Sequence, residues 1–153
     1  MKYQDLVIKD GRFIGKFDKM YQLFEDPWSQ SKDGFVENNL SRQTVINFIK
    51  KYNIKSIVEF GCGLGKTTNY IHELTGVDIF GVDISQTAIS KSKKKYPNLN
   101  FKVDNVENII SYKDYNCYFF SEITWYILEE DKLNNIFKKM SNDLKGKYFI
   151  HNL

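Results

Sequence analysis

The residues best suited to chemistry stand in one run, Glu59-Phe60-Gly61-Cys62-Gly63-Leu64-Gly65-Lys66-Thr67-Thr68, at the end of the apolar stretch Ser56–Phe60. Glycines at alternate positions let backbone N–H groups approach a ligand, and their spacing discriminates between ligands. A P-loop needs G-x-x-x-x-G-K-[ST]; Gly65-Lys66-Thr67 supplies the end, but the first glycine would fall on Phe60. A dinucleotide fingerprint needs G-x-G-x-x-G; Gly61 and Gly63 fit, but the third position is Lys66, whose side chain would obstruct close helix–strand packing. The glycines run instead as G-x-G-x-G. Glu59, just ahead of them, would repel a pyrophosphate and favour an ammonium or sulfonium group. The loop suits a cofactor with positive charge and no phosphate.

Two further carboxylates recur at matching places. Asp83 closes the run Ile79–Ile84 and follows Gly63 by twenty residues, a spacing that lets a carboxylate accept from both ribose hydroxyls. Asp104 follows Asn100–Val103. A single Asp at a strand end is usually just solvated; two at equivalent ends, beside the glycine loop, argue for a ligand.

With these motifs in order, the sequence resembles the class I S-adenosylmethionine-dependent methyltransferases over roughly Lys55 to Leu153. The resemblance implies that Glu59 and the backbone at Gly61 and Gly63 face the methionine part of the cofactor, with Cys62 a small space-filler inside that loop. It implies that Asp83 holds the ribose, that Ile84 lies on the adenine face, and that Asp104 accepts from the adenine amino group with Asn105 beside the ring. Ser121, ending the fourth strand of the pattern, completes the cofactor set. Enzymes of this kind that methylate exocyclic base nitrogens carry [DN]-P-P-[YFW] at that strand end; here it reads Ser121-Glu122-Ile123-Thr124, so a small-molecule acceptor is expected and nucleic acid is not.

Transfer from a sulfonium needs positioning and desolvation of the acceptor, and a base only if the acceptor arrives protonated. Glu122 is the candidate by position and His151 the second; Trp125 and Tyr126 follow on the same segment. Ahead of the core, Tyr21 and Asp26-Pro27-Trp28 resemble the entrance segment of small-molecule N- and O-methyltransferases of the nodulation-protein type. Rings at Tyr21 and Trp28 could then cover a sulfonium and exclude water. Lys9-Asp10-Gly11-Arg12 suits a hairpin turn, and Leu6–Phe17 has no function legible from its residues. The expected activity is methyl transfer to an oxygen or nitrogen of a small molecule; the alternative is a non-catalytic S-adenosylmethionine-binding or interaction domain.

Positioning these residues requires alternating strands and helices. Ser56–Phe60, Ile79–Ile84, Asn100–Val103, Cys117–Phe120 and Tyr148–Ile150 read as short strands, most of them nearly continuous in apolar residues, as parallel strands buried on both faces are. Between them fit helices at Lys66–Leu74, from Ser85 to about Tyr96, and at Glu130–Leu144, with another before the first strand marked by Val45, Phe48, Ile49 and Tyr52. The expected fold is α/β: one Rossmann-like domain with an open, mainly parallel sheet and helices on both faces. It divides into a lead over 1–53 and a cofactor-binding core over 54–153, with strand order 3-2-1-4-5. The resemblance brings seven strands to mind, and this sequence ends on the fifth, so the usual sixth and seventh are expected to be absent. The exposed apolar edge left behind would invite pairing with a second copy.

The 153 residues carry 22 Lys+Arg against 19 Asp+Glu, 42% hydrophobic and 27% charged, an ordinary globular composition that excludes disorder and disulfide scaffolds. The basic excess is lysine, and its one dense cluster, Lys91 and Lys93–Lys95, reads as the exposed last turn of a helix. Cys62 and Cys117 form no metal-binding spacing, no apolar run reaches a bilayer span, and the start lacks a signal-peptide core. No metal, no membrane partner and a cytoplasmic location are therefore the expectations.

Overall fold

The computed structural model of the protein describes residues 2–152. A 3-10 turn (Tyr3–Leu6) leads into a hairpin of β1 (Ile8–Lys9) and β2 (Arg12–Phe13). Asp10 and Gly11 take φ of 51° and 72° between them, the left-handed pair whose twist matches that of the joined strands. After α1 (Phe17–Leu23) and an irregular stretch comes α2 (Leu40–Lys51), started by Asn39, whose side chain accepts from Arg42 N–H.

Strands and helices then alternate: β3 (Ser56–Phe60), α3 (Lys66–Thr75), β4 (Asp78–Asp83), α4 (Gln86–Lys95) and β5 (Asn100–Val103). A 3-10 segment (Val106–Tyr112) crosses over to β6 (Cys117–Ser121), and a 3-10 turn (Thr124–Tyr126) and α5 (Glu130–Asp143) lead to β7 (Tyr148–Asn152). Five strands pair, all in parallel, in the order β5-β4-β3-β6-β7. The expectation of five strands ordered 3-2-1-4-5, with a sixth and seventh absent, is corrected accordingly. Among the described residues seven strands are present, because the Asp10-Gly11 turn closes a hairpin outside the parallel sheet that takes the first two places along the chain.

The sheet is buried on both faces, which is why its strands read as unbroken apolar runs. On one face Ile57, Ile79 and Phe119 pack with Val45, Ile46 and Ile49 of α2 and Ile71 of α3. On the other, Val58, Phe60, Tyr118 and Phe120 lie under Ile109, Tyr112, Ile136 and Leu144. Phe119 and Phe120 are adjacent, wholly buried and on opposite faces; each side chain contributes about 1.5–3 kcal/mol through its burial. At the far side β7 leaves Tyr148 and Phe149 more than a third exposed.

Polar clamps fix α1 against α4. The Asp18 carboxylate accepts from Ser85 Oγ (2.9 Å) and Thr87 N–H (2.8 Å) at the start of α4. Lys91 Nζ donates to the carbonyls of Tyr21 (2.7 Å), Phe24 (3.2 Å) and Glu25 (3.2 Å) at the end of α1. Lys91 thus leaves the exposed cluster read from the sequence and serves as a cap for another helix, whereas Lys93–Lys95 stay in the last turn of α4.

Gly81 lets β4 and β5 close on each other. A Cβ there would meet Phe101 Cε1 at 2.7 Å and Cys62 Sγ at 3.1 Å. Gly81→Ala is therefore expected to destabilise the fold by about 1–3 kcal/mol, read as a lowered midpoint in urea unfolding followed by circular dichroism. An unchanged midpoint would contradict this close approach.

Candidate functional site

A cavity of about 710 Å3 opens beyond the carboxyl ends of β3, β4, β5 and β6, a size within the usual range of small-molecule sites. It straddles the point where strand addition changes direction, with β4 and β5 on one side of β3 and β6 and β7 on the other. Of the residues expected from the sequence, Gly61, Asp83, Ile84, Asp104, Asn105, Ser121, Glu122, Tyr21, Trp28, Trp125 and Tyr126 line it. Glu59, Cys62, Gly63 and His151 do not.

Glu59 lies beneath the loop, fully buried at the end of β3. Its Oε2 accepts from Thr68 Oγ1 at 2.5 Å, and its Oε1 has no hydrogen-bond partner. Burial pushes this carboxyl up to about 7, against the Thr68 hydrogen bond and the smaller pull of Ser121 and Arg42. Cys62 is buried against Ile89 and Phe101, and burial raises its thiol well above the ordinary range, so it fills space and is not a nucleophile. Gly61 has φ 84°, and a Cβ on it would meet the Ser121 carbonyl oxygen at 2.9 Å and collide with Ile123. Only glycine fits between the loop and β6.

The two strand-end aspartates differ sharply. Asp83 accepts from Gly63 N–H and Ser85 N–H, each at 2.9 Å, one bond per carboxylate oxygen. Burial raises its pKa despite these backbone donors. Each oxygen retains a lone pair for a ligand. Asp104 accepts from Asn108 Nδ2 (2.7 Å), Tyr112 Oη (2.7 Å), Asn105 N–H (2.8 Å) and Lys102 Nζ (3.0 Å). Burial acts upward there, but the four donors outweigh it and hold the carboxyl well below the usual carboxylate range. With four donors on about four acceptor positions, Asp104 organises the 105–112 segment and has little capacity left for an adenine amino group.

The roof comes from the lead segment. Tyr21 is buried, and a Cβ on Gly63 would meet its Oη and Gln30 Oε1, each at 2.8 Å. Gln30 Oε1 accepts from Leu64 N–H at 2.7 Å, and Asp26 fixes the Gln30 turn by accepting from Gln30 N–H and Ser31 N–H, each at 2.7 Å. Gln30 was not among the sequence candidates, and no local signal marks it, since its partner lies 34 positions away. Phe13, Phe17, Trp28 and Tyr126 form one ring cluster at the mouth, with centroids 5.1–6.2 Å apart.

Arg42 is the second residue that the sequence reading missed. It is 7% exposed, stacks over the Phe35 ring at 3.9 Å and donates from Nη1 to the Phe35 carbonyl at 3.0 Å. Its Nη2 pairs with Glu122 Oε1 at 2.7 Å, and its buried Nε has no partner. The available signal was compositional: arginine stands at only two places in a lysine-rich chain, and a planar guanidinium can stack on a ring while donating to two separate acceptors. Glu122 has φ 57°, an uncommon conformation for a residue with a side chain, and its N–H donates to Asn152 O at 3.1 Å. His151 is exposed, with Nε2 2.7 Å from Thr124 Oγ1 and its ring stacked on Phe149. No group of three or more His, Cys, Asp or Glu side chains placed to hold a metal occurs among the described residues, and no helix there is long and apolar enough to cross a membrane.

Comparison with known proteins bears on the family and the fold. The family model for a methyltransferase domain matches residues 57–147, and the chain belongs to that family, the class I, S-adenosylmethionine-dependent methyltransferases. It is 31% identical over 104 residues to protein 235L of Invertebrate iridescent virus 6, provisionally named a methyltransferase, covering 65% of this chain and 39% of that protein. Among solved structures it resembles the PH0226 protein from Pyrococcus horikoshii OT3, with TM-score 0.66 and 21% identity over 87% of this chain and 64% of that one. An S-adenosylmethionine-dependent methyltransferase from Clostridium acetobutylicum ATCC 824 matches with TM-score 0.62 and 19% identity over 87% of this chain and 56% of that one. At these identities the two structures show a shared fold, and the chain spans less than two thirds of the length of each of the three proteins.

The buried Glu59 generates a pH test. A carboxyl whose folded pKa is raised favours the folded state below its unfolded value and loses that contribution as pH rises through about 7. Relative to wild type, Glu59→Gln should gain stability between about pH 4.5 and pH 7, by up to roughly 3 kcal/mol. Urea unfolding of both proteins at several pH values measures this, and a pH-independent difference would refute the shift.

Proposed function

We propose that the chain binds S-adenosylmethionine on the strand-end floor of the cavity and transfers its methyl group to an oxygen or nitrogen of a small molecule. The observation that carries this is the convergence of the glycine loop, Asp83, Ile84, Ser121 and Glu122 on one cavity beneath an aromatic roof. The group fits the residues present. Its methionine end carries a carboxylate, and Arg42, which lines the cavity, has a buried Nε with no hydrogen-bond partner. When bound, the cofactor supplies an electrophilic methyl carbon on a positively charged sulfur.

This chain's own residues do the rest. Asp83 accepts from the ribose hydroxyls with its remaining lone pairs while holding Gly63 and Ser85. Ile84, 51% exposed and facing the cavity, packs on the adenine. Asp104 acts through the segment it organises, placing Asn105 at the ring edge. The Trp28 and Tyr126 rings keep water out and favour a cation through their faces. Glu122, with Oε1 held by Arg42, keeps Oε2 for the proton of an incoming hydroxyl or ammonium.

Calorimetry tests the reading. S-adenosylmethionine and S-adenosylhomocysteine are expected to bind, and NAD and ATP are not. Ile84→Asp, at an exposed position with no folding role, should weaken S-adenosylhomocysteine about tenfold or more by setting a charge against an apolar ring. NAD binding without S-adenosylhomocysteine binding would overturn the proposal, and an unaffected Ile84→Asp would overturn the adenine assignment.

A further inference from the structure

The mouth of the cavity differs chemically from its floor. The strand ends bring Asp83, Asp104, Asn105, Ser121 and Glu122 to the floor, whereas the mouth is walled by Phe13, Phe17, Trp28, Trp125, Tyr126 and Leu128. Three of these are exposed although large and apolar: Phe13 at 38%, Trp125 at 60% and Leu128 at 64%. Apolar side chains gathered on one exposed wall mark a place that an apolar surface occupies. The rings also have a preferred partner shape. Phe13 and Tyr126 lie nearly parallel, with 26° between planes, and Phe17 meets Tyr126 edge-on, so the wall offers both a face and an edge to a flat guest.

Charge narrows the guest further. The charged side chains lining the cavity are Asp83, Asp104, Glu107, Glu122 and Glu129 against Arg42 and Lys132. Both cations are already engaged: Arg42 with Glu122 at 2.7 Å, and Lys132 with Glu129 at 3.2 Å and Glu107 at 3.6 Å. With Arg42 Nε left to the cofactor's own carboxylate, a carboxylate or phosphate on the acceptor would find no free cation among these and an acidic surround. The polar handle left beside the wall is Glu122 Oε2, an acceptor that matches a hydroxyl or N–H donor on the guest.

We propose that the methyl acceptor is an uncharged aromatic small molecule bearing a hydroxyl or amino group, held on the Phe13–Trp125–Tyr126 wall with that group toward Glu122. This rests on the methyl-transfer reading above and adds the acceptor's chemical class.

Equilibrium dialysis with 2-naphthol as the probe, and 2-naphthoate as the anionic control on the same ring system, tests it on the full chain with and without S-adenosylhomocysteine. The expected result is 2-naphthol binding, with 2-naphthoate about tenfold or more weaker. Trp125→Ser, at a 60% exposed side chain outside the ring cluster, should weaken 2-naphthol by about tenfold with unchanged circular dichroism, and Phe13→Ser, which also gives up its contacts with Phe17 and Tyr126, should weaken it at least as much. Equal or tighter binding of 2-naphthoate, no binding of 2-naphthol, or variants that bind it like wild type would overturn the proposal. Failure of S-adenosylhomocysteine to bind would instead sink the cofactor reading, while the dialysis on the free chain still decides the nature of the wall.

Discussion

The hydrogen bonds of the Asp83 carboxylate are the joint on which the site depends. One oxygen receives Gly63 N–H from the loop after β3, and the other receives Ser85 N–H at the start of α4. Ser85 in turn donates its hydroxyl to Asp18 of α1 and accepts Ala88 N–H within α4. Glycine loop, second strand end, helix start and roof helix are thereby tied in one chain of polar contacts within a few residues. Charge-assisted bonds of this kind are stronger than neutral ones, and each leaves a buried donor exposed to a large penalty if removed. The floor of the cavity is therefore set before any ligand arrives.

Around that joint the work is divided by chemistry. Parallel strands packed on both faces by Phe119 and Phe120 make a stiff base, and the strand ends deliver polar groups to one rim. The residues before α2 form a roof that is aromatic where it meets the mouth and hydrogen-bonding where it meets the glycine loop through Gln30. Arg42 and Glu122 link the two halves from α2 and the end of β6, a pair 80 positions apart in sequence. Because Arg42 is nearly buried and Glu122 is partly exposed, loss of the carboxylate would strand a buried cation, whereas loss of the arginine would release a carboxylate to solvent.

Local pattern made part of this legible. The β3 and β5 spans and the start of α5 coincide with their apolar runs and periodicity, and the Ser85 cap is where its type and position imply. The glycine loop and the aspartates at the ends of β4 and β5 stand together at the cavity because parallel strands bring their carboxyl ends to one side. What spacing does not carry is the state of each group. Asp104 looks like Asp83 in sequence, yet its acceptor capacity is filled by Asn108, Tyr112, Asn105 and Lys102. Gln30, Arg42 and Lys91 act across 34, 80 and 70 positions, distances at which periodicity holds no information. The strand numbering differed because a two-residue hairpin is too short to show alternation, although its Asp10-Gly11 turn was visible.

One consequence of the aromatic mouth is optical. The chain has two tryptophans, and both Trp28 and Trp125 line the cavity. Trp28 lies half-buried in the ring cluster, and Trp125 stands 60% exposed on the 3-10 turn beyond β6. The indole emission of this chain thus originates at the cavity, one emitter in a protein-like and one in a water-like environment. The native fluorescence spectrum is a local signal from the mouth of that cavity, with no tryptophan elsewhere in the fold to dilute it.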